Sequence, residues 1–298
     1  MEQRPFGKTG LNVSVIGFGG AAIWHAPREK GGVTDGEVNE LLNAMLDSGV
    51  TLIDTAGMYG LSEERIGKAI ARRRSEFVLS SKCGFDSSMN ESWSGDAITA
   101  DIDRSLRLLK TDHIDIMHLH SCSMDVLRKG EAIEALHRAV ETGKVRHAAY
   151  SGDNEELLWA VESNHFDSIQ ASLNICDQRA LDRSLPHCHL NGLGVIIKRP
   201  LANAFWRFSE QPKGEYCEAY WLRAKAMNLS PEPLRWDELF LRFAAFQPGV
   251  CSIIIGTRQV SHFRRNIELL KKGPLPADQV ASLRSLFKQH DHDWTGQT

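Results

Sequence analysis

Short apolar runs alternate with longer amphipathic segments along the whole chain. The runs are VSVIGFG (13–19), VTLIDT (50–55), FVLSSK (77–82), IDIMHLH (114–120), RHAAYS (146–151), DSIQAS (167–172), GVIIK (194–198) and SIIIG (252–256). Each is bounded by Gly or polar residues, the pattern of buried parallel strands. The segments between them repeat apolar residues at helical spacing. Val38, Leu41, Leu42, Met45 and Leu46 follow Thr34 and Glu37, which read as a capping box. Ile98, Ile102, Leu106 and Leu109 repeat the pattern, and Gly143 supplies a helix stop. Eight strand–helix units predict an α/β fold, a (β/α)8 TIM barrel. A doubly wound sheet is the competitor, but it seldom needs eight strands in one chain. The opening residues read as a small hairpin turning at Lys8–Thr9–Gly10. Leu201–Pro233 reads as a long loop carrying extra helix, and a last helix spans about Ala277–Gln289. No linker or low-complexity run divides the chain, so residues 1–298 read as a single barrel domain.

Several of the runs carry an ionisable side chain at or next to their end. Asp54 closes LID, Lys82 closes FVLSSK, His120 closes IDIMHLH, and Tyr59 follows Asp54 by five residues. Period two puts Leu52 with Asp54, Ser80 with Lys82, and His118 with His120 on common faces. In a barrel, strand ends of this kind form the active face. A tyrosine titrates near 10, and a neighbouring ammonium lowers that value. A carboxylate keeps the lysine charged and placed, and a histidine orients a carbonyl oxygen. Together they make a general acid for a carbonyl receiving a hydride. The plain alternative is a buried Asp–Lys ion pair beside a core Tyr and His.

Composition narrows the class. The 298 residues are 42% hydrophobic and 24% charged, with a formal net charge of −3. This suits a globular protein, and the net charge argues against a nucleic-acid or membrane partner. Six cysteines without a CxxC pair read as reduced thiols in a cytoplasmic protein, and the polar opening shows no signal peptide. No run approaches membrane-spanning length.

The chain resembles the aldo-keto reductases over nearly its whole length. The resemblance rests on IGFGG at 16–20, IDTAGMYG with SEERIG after it, SSK at 80–82, TDHIDIMHLH at 111–120, GKVRHAAYSG at 143–152, Gln170, and IIIGTR at 253–258. It implies a catalytic tetrad of Asp54, Tyr59, Lys82 and His120, with Tyr59 as general acid/base. It implies hydride transfer between NADPH, less often NADH, and a small carbonyl or alcohol substrate, without metal. Gly19 and Gly20 would approach the nicotinamide ribose, Asp54 would touch it, and Ser151 and Gln170 would bind the carboxamide. Lys198, Arg199, Pro200, Leu201 and Asn203 would complete the cofactor wall. Gly256, Thr257, Arg258, His262, Arg265 and Asn266 would hold the adenosine end. A helix N-terminus beside an Arg suits an anion.

Three positions depart from the family pattern. Gly152 stands where an Asn usually follows the serine, with Asn154 near in sequence. Lys198 stands where an aromatic usually stacks on nicotinamide, so Lys198, Arg199, Phe205 or Trp206 would cover the ring. Arg265 stands where an acid often binds the adenine amine, and with Arg258 and Arg264 it tilts the expectation toward NADPH. Trp24, Phe85 and Trp93 are expected around the substrate. A cofactor-bound sensor with little turnover, and a metal-dependent hydrolase using His118 and His120, are the competing readings.

Overall fold

A computed structural model describes residues 1–29 and 32–297. Strands β1 (Gln3–Pro5) and β2 (Asn12–Ser14) form an antiparallel hairpin. Eight parallel strands follow and close into a barrel: β3 (Ile16–Gly19), β4 (Leu52–Asp54), β5 (Val78–Cys83), β6 (Ile114–His120), β7 (Val145–Ser151), β8 (Ser168–Ser172), β9 (Gly194–Lys198) and β10 (Ser252–Ile255). The sheet order is sequential, and β10 pairs with both β9 and β3. The expected (β/α)8 barrel with its hairpin is therefore the observed fold.

The first strand differs from its expected bounds. Residues 12–14 pair back onto the hairpin, and only Ile16–Gly19 enters the barrel. Apolar pattern alone does not separate two strands that abut. The hairpin seals the N-terminal end of the barrel. Phe6 is fully buried, and a Cβ on Gly194 would lie 2.6 Å from its ring. Gly7 has φ +57°, and a Cβ there would lie 2.4 Å from the Gly194 nitrogen, so both positions suit glycine.

Helices cover the outside. Asp35–Asp47 starts with the capping box of Thr34 and Glu37, and Gly95–Leu109 buries Ile98, Ile102 and Leu109. Glu131–Glu141 ends before Gly143, which has φ +76°. The long segment after β9 carries the helix Glu218–Ala226, and the last helix spans Ala277–His290. The main core joins barrel strands to these helices, and a second apolar cluster around Phe205, Tyr220, Phe240 and Phe287 lies under the segment after β9. Among the described residues no helix is long and apolar enough to cross a membrane.

Candidate active site

The C-terminal rim of the barrel gathers polar residues because each strand presents alternate positions to its interior. Asp54 ends β4, His120 ends β6, Ser151 ends β7, Ser172 ends β8 and Lys198 ends β9, while Lys82 is the penultimate residue of β5. A groove of about 750 Å³ crosses this rim, a size suited to a small-molecule site. Asp54, Tyr59, Phe85 and His120 line one part of it. Gly19, Ser151, Gln170, Lys198, Arg199, Pro200, Leu201, Asn203 and Gly256 line the rest.

Lys82 Nζ donates to Asp54 Oδ2 at 2.7 Å and to the Thr55 carbonyl at 2.7 Å. It lies 5.2 Å from the centre of the Tyr59 ring. Burial pulls the Lys82 pKa down, but Asp54 and Tyr59 more than offset this and hold it above its ordinary value. Lys82 is therefore an ammonium beside the phenol. The Tyr59 and His120 rings meet edge to face, with centroids 5.9 Å apart. Loss of water around His120, with Lys82 and Lys198 nearby, pushes its pKa well below the ordinary value. It is a neutral imidazole, with one ring N–H to donate.

Asp54 Oδ1 accepts from Ser80 Oγ at 2.8 Å and from Gln170 Nε2 at 2.8 Å. Gln170 Oε1 in turn accepts from Ser151 Oγ at 3.2 Å. Sequence reading put Ser151 and Gln170 with the cofactor and Asp54 chiefly with the proton site. One hydrogen-bonded chain joins them. Ser80 also meets His118 Nε2 at 3.1 Å. The Ser80 hydroxyl is donated to Asp54, so this assigns the His118 proton to Nε2. Burial, then Lys82, pushes the His118 pKa down to about 3. His118 is thus engaged inside the barrel. Among the described residues no group of three or more His, Cys, Asp or Glu is placed to hold a metal ion. His187 pairs with Glu162 at 3.8 Å, and Asp291 and Asp293 pair with Arg179.

The cofactor candidates fall into two groups. A Cβ on Gly19 would lie 3.3 Å from the Gly256 nitrogen, so two strand ends pass closely and leave bare backbone facing the groove. Gly20 lies outside the groove lining; a Cβ there would meet Ser62 Oγ at 2.6 Å, so packing explains it. Thr257, Arg258, His262, Arg265 and Asn266 lie beyond Gly256, on the turn into and the first turns of the helix Val260–Lys271. That helix has no acidic residue in its first turn and no side-chain cap. Its first N–H groups, with exposed Arg258 nearby, suit a phosphate. Arg265 is paired with Asp237 at 3.0 Å, so part of its charge is already offset. The groove, its bare backbone and this helix end fit an elongated ligand that carries phosphates.

Other candidates are placed differently from expectation. Asn154 does not line the groove and holds Gly296 through two hydrogen bonds, of 2.7 and 3.2 Å. Phe205 and Trp206 do not line the groove; they pack with Trp236 and Phe240 in an aromatic cluster. Of the three substrate-pocket aromatics only Phe85 lines the groove. Trp93 supports it edge to face at 5.5 Å, and Trp24 meets the outer edge of Tyr59 at 6.2 Å. Sequence reading missed Asp153, which clamps Lys198 at 3.0 Å, and Tyr216, whose ring lies 4.9 Å under Arg199. Position two after Ser151 was the available signal for Asp153. Arg199, Ala202, Asn203 and Ala204 all have positive φ, so backbone strain collects where this wall bends.

Residues 15–288 match the profile of the Aldo/keto reductase family. L-galactose dehydrogenase of Arabidopsis thaliana is 26% identical, covering 90% of this chain and 87% of its own. The NADH-specific methylglyoxal reductase of Escherichia coli is 25% identical, covering 93% and 96%. The solved holo form of aldo-keto reductase AKR11C1 from Bacillus halodurans superposes with a TM-score of 0.80 at 25% identity, over 96% of each chain.

Proposed function

Because the chain belongs to the aldo-keto reductase family, we propose that it reduces an aldehyde or ketone with NADPH, or runs the reverse oxidation, using Tyr59 as general acid and base. The observation that carries this reading is the meeting of Tyr59 with the Lys82–Asp54 pair and His120 at one end of a single groove. When bound, the nicotinamide supplies or accepts the hydride at the substrate carbon. Tyr59 gives its phenolic proton to the carbonyl oxygen. The Lys82 ammonium stabilises the phenolate left behind, and Asp54 keeps that ammonium charged and fixed. Neutral His120 donates a hydrogen bond to the same oxygen and orients it. Phe85, backed by Trp93, gives the substrate an apolar wall, and Trp24 supports Tyr59 from outside the groove.

Ser151 and Gln170 hold the carboxamide, and the backbone at Gly19 approaches the ribose. Thr257, Arg258 and the first turn of Val260–Lys271 hold the adenosine phosphate, with His262, Arg265 and Asn266 near the adenine. Exposed Arg258 and Arg264 favour a 2′-phosphate, hence NADPH over NADH, although Asp237 offsets Arg265.

Tyr59→Phe tests the reading. It lowers kcat by about 10²–10⁴-fold on any aldehyde that the wild type reduces, and leaves NADPH affinity within about twofold. Undiminished turnover would overturn the role of Tyr59. Tight NADPH binding with no reduction across a broad carbonyl panel would favour a cofactor-bound sensor. Tighter binding of NADH than of NADPH would overturn the cofactor preference.

A further inference from the structure

The wall facing Lys82 carries a second, partly buried lysine. In the closed order β3 to β10, β9 stands four places from β5, so Lys198 lies across the barrel mouth from Lys82. Lys198 Nζ is 3.0 Å from Asp153 Oδ2, and its side chain is 12% exposed. Arg199 reaches the same carboxylate oxygen at 3.8 Å. Asp153 Oδ1 is occupied by the Ser172 N–H at 2.8 Å. Two cations thus share one carboxylate, and the cluster is net positive. The Arg199 guanidinium is further engaged by Ser172 Oγ at 2.6 Å and by the Tyr216 ring. Among the described residues Lys198 has only the Asp153 carboxylate as an ion-pair partner, and it lines the groove.

The geometry of hydride transfer decides what faces Lys198. The reacting carbonyl has to sit within reach of Tyr59 and His120, on the side of β4, β5 and β6. A ring with its carboxamide on Ser151 and Gln170, at the ends of β7 and β8, turns its reacting face toward Tyr59. Its other face would then look at the end of β9, where Lys198 lines the groove. The oxidised ring carries a positive charge and the reduced ring carries none. We propose that Lys198, held by Asp153, sets the ratio of affinities for the oxidised and reduced cofactor by repelling the oxidised ring from its non-reacting face.

The inference rests on the nicotinamide reading of the groove given above. At an effective dielectric near 20, a like charge about 6 Å away changes affinity by roughly a hundredfold. Asp153, on the same ammonium, removes part of that. The net effect is a weaker hold on the oxidised product than on the reduced substrate form, which speeds product release in the direction of carbonyl reduction.

The test is equilibrium binding of NADP⁺ and of NADPH, each alone, to the purified full chain by calorimetry. Wild type is compared with Lys198→Met, Lys198→Gln and Asp153→Asn, and thermal melts record folding. Both lysine variants raise the NADP⁺ affinity relative to NADPH by roughly tenfold. Asp153→Asn, measured at about pH 6 so that the lysine keeps its proton, strips the ammonium of its counter-charge and moves the ratio the other way by several-fold. Opposite signs separate charge from general damage to the fold. Ratios within about twofold of wild type in all folded variants, with wild type binding both forms, overturn this inference and leave the reductase reading standing. A wild type that binds neither form overturns both.

Discussion

Lys82 Nζ donates to Asp54 Oδ2 across 2.7 Å, with both side chains at most 2% exposed. Removing the cation strands a buried carboxylate. Lys82→Met leaves Asp54 with the Ser80 and Gln170 donors but without a counter-charge. Breaking such a pair costs about 3–5 kcal/mol. The same change raises the cost of forming a Tyr59 phenolate, so kcat falls by roughly 10²-fold or more. Urea unfolding and steady-state rates check the two effects separately. A variant as stable as the parent would mean that Asp54 takes up a proton or water at little cost.

His118 makes acid stability readable. Its folded pKa is about 3, while the unfolded side chain titrates near 6.5. Below 6.5 the unfolded chain binds a proton that the folded chain refuses, so this group's contribution to stability is lost as pH falls from 6.5 toward 3. By pH 5 the loss from this one site is about 2 kcal/mol. Denaturant midpoints from pH 7 to pH 5 should fall more steeply for wild type than for His118→Asn. Parallel slopes would show that His118 charges freely in the folded chain.

The segment Thr295–Gln297 is gripped through its backbone by side chains from two helices, the end of β8 and two loops. Arg223 donates to the Thr295 carbonyl at 2.6 Å, and Asn154 pairs with both the N–H and the carbonyl of Gly296. The Gln297 N–H donates to Asp177 at 3.3 Å, and its carbonyl accepts from Ser172 and Arg199. Asn154→Ala removes two of these bonds and costs about 1–3 kcal/mol. Hydrogen exchange at the Gly296 amide should accelerate about tenfold or more, while barrel strands keep their protection. Unchanged exchange at Gly296 would show that Arg223 and Asp177 hold the segment without Asn154.

Local rules made the barrel and half of the site legible. Period two placed Asp54, Lys82 and His120 on inward faces at strand ends, and these are the residues that the closed sheet brings around Tyr59. Contacts between distant segments were not legible. Asp153 clamps Lys198 from 45 positions away, Gln170 reaches Asp54 across the barrel, and Gly296 docks on Asn154. Phe205 and Trp206 carried a misleading signal, because an aromatic pair after β9 satisfies either a ring-stacking role or a core. The fold uses it for core. Arg265 read as added positive charge, and only packing of two helices reveals Asp237 beside it.

The sealed floor under the barrel constrains traffic. Phe6 and the hairpin stop the N-terminal end, so among the described residues the groove opens at one rim only. Ser151 and Gln170 are each 1% exposed at its depth, and Tyr59 stands nearer the surface. Two ligands sharing one doorway have to queue. On the proposed reading, a cofactor held by Ser151 and Gln170 would have to enter first and leave last, with the substrate of Tyr59 coming and going above it.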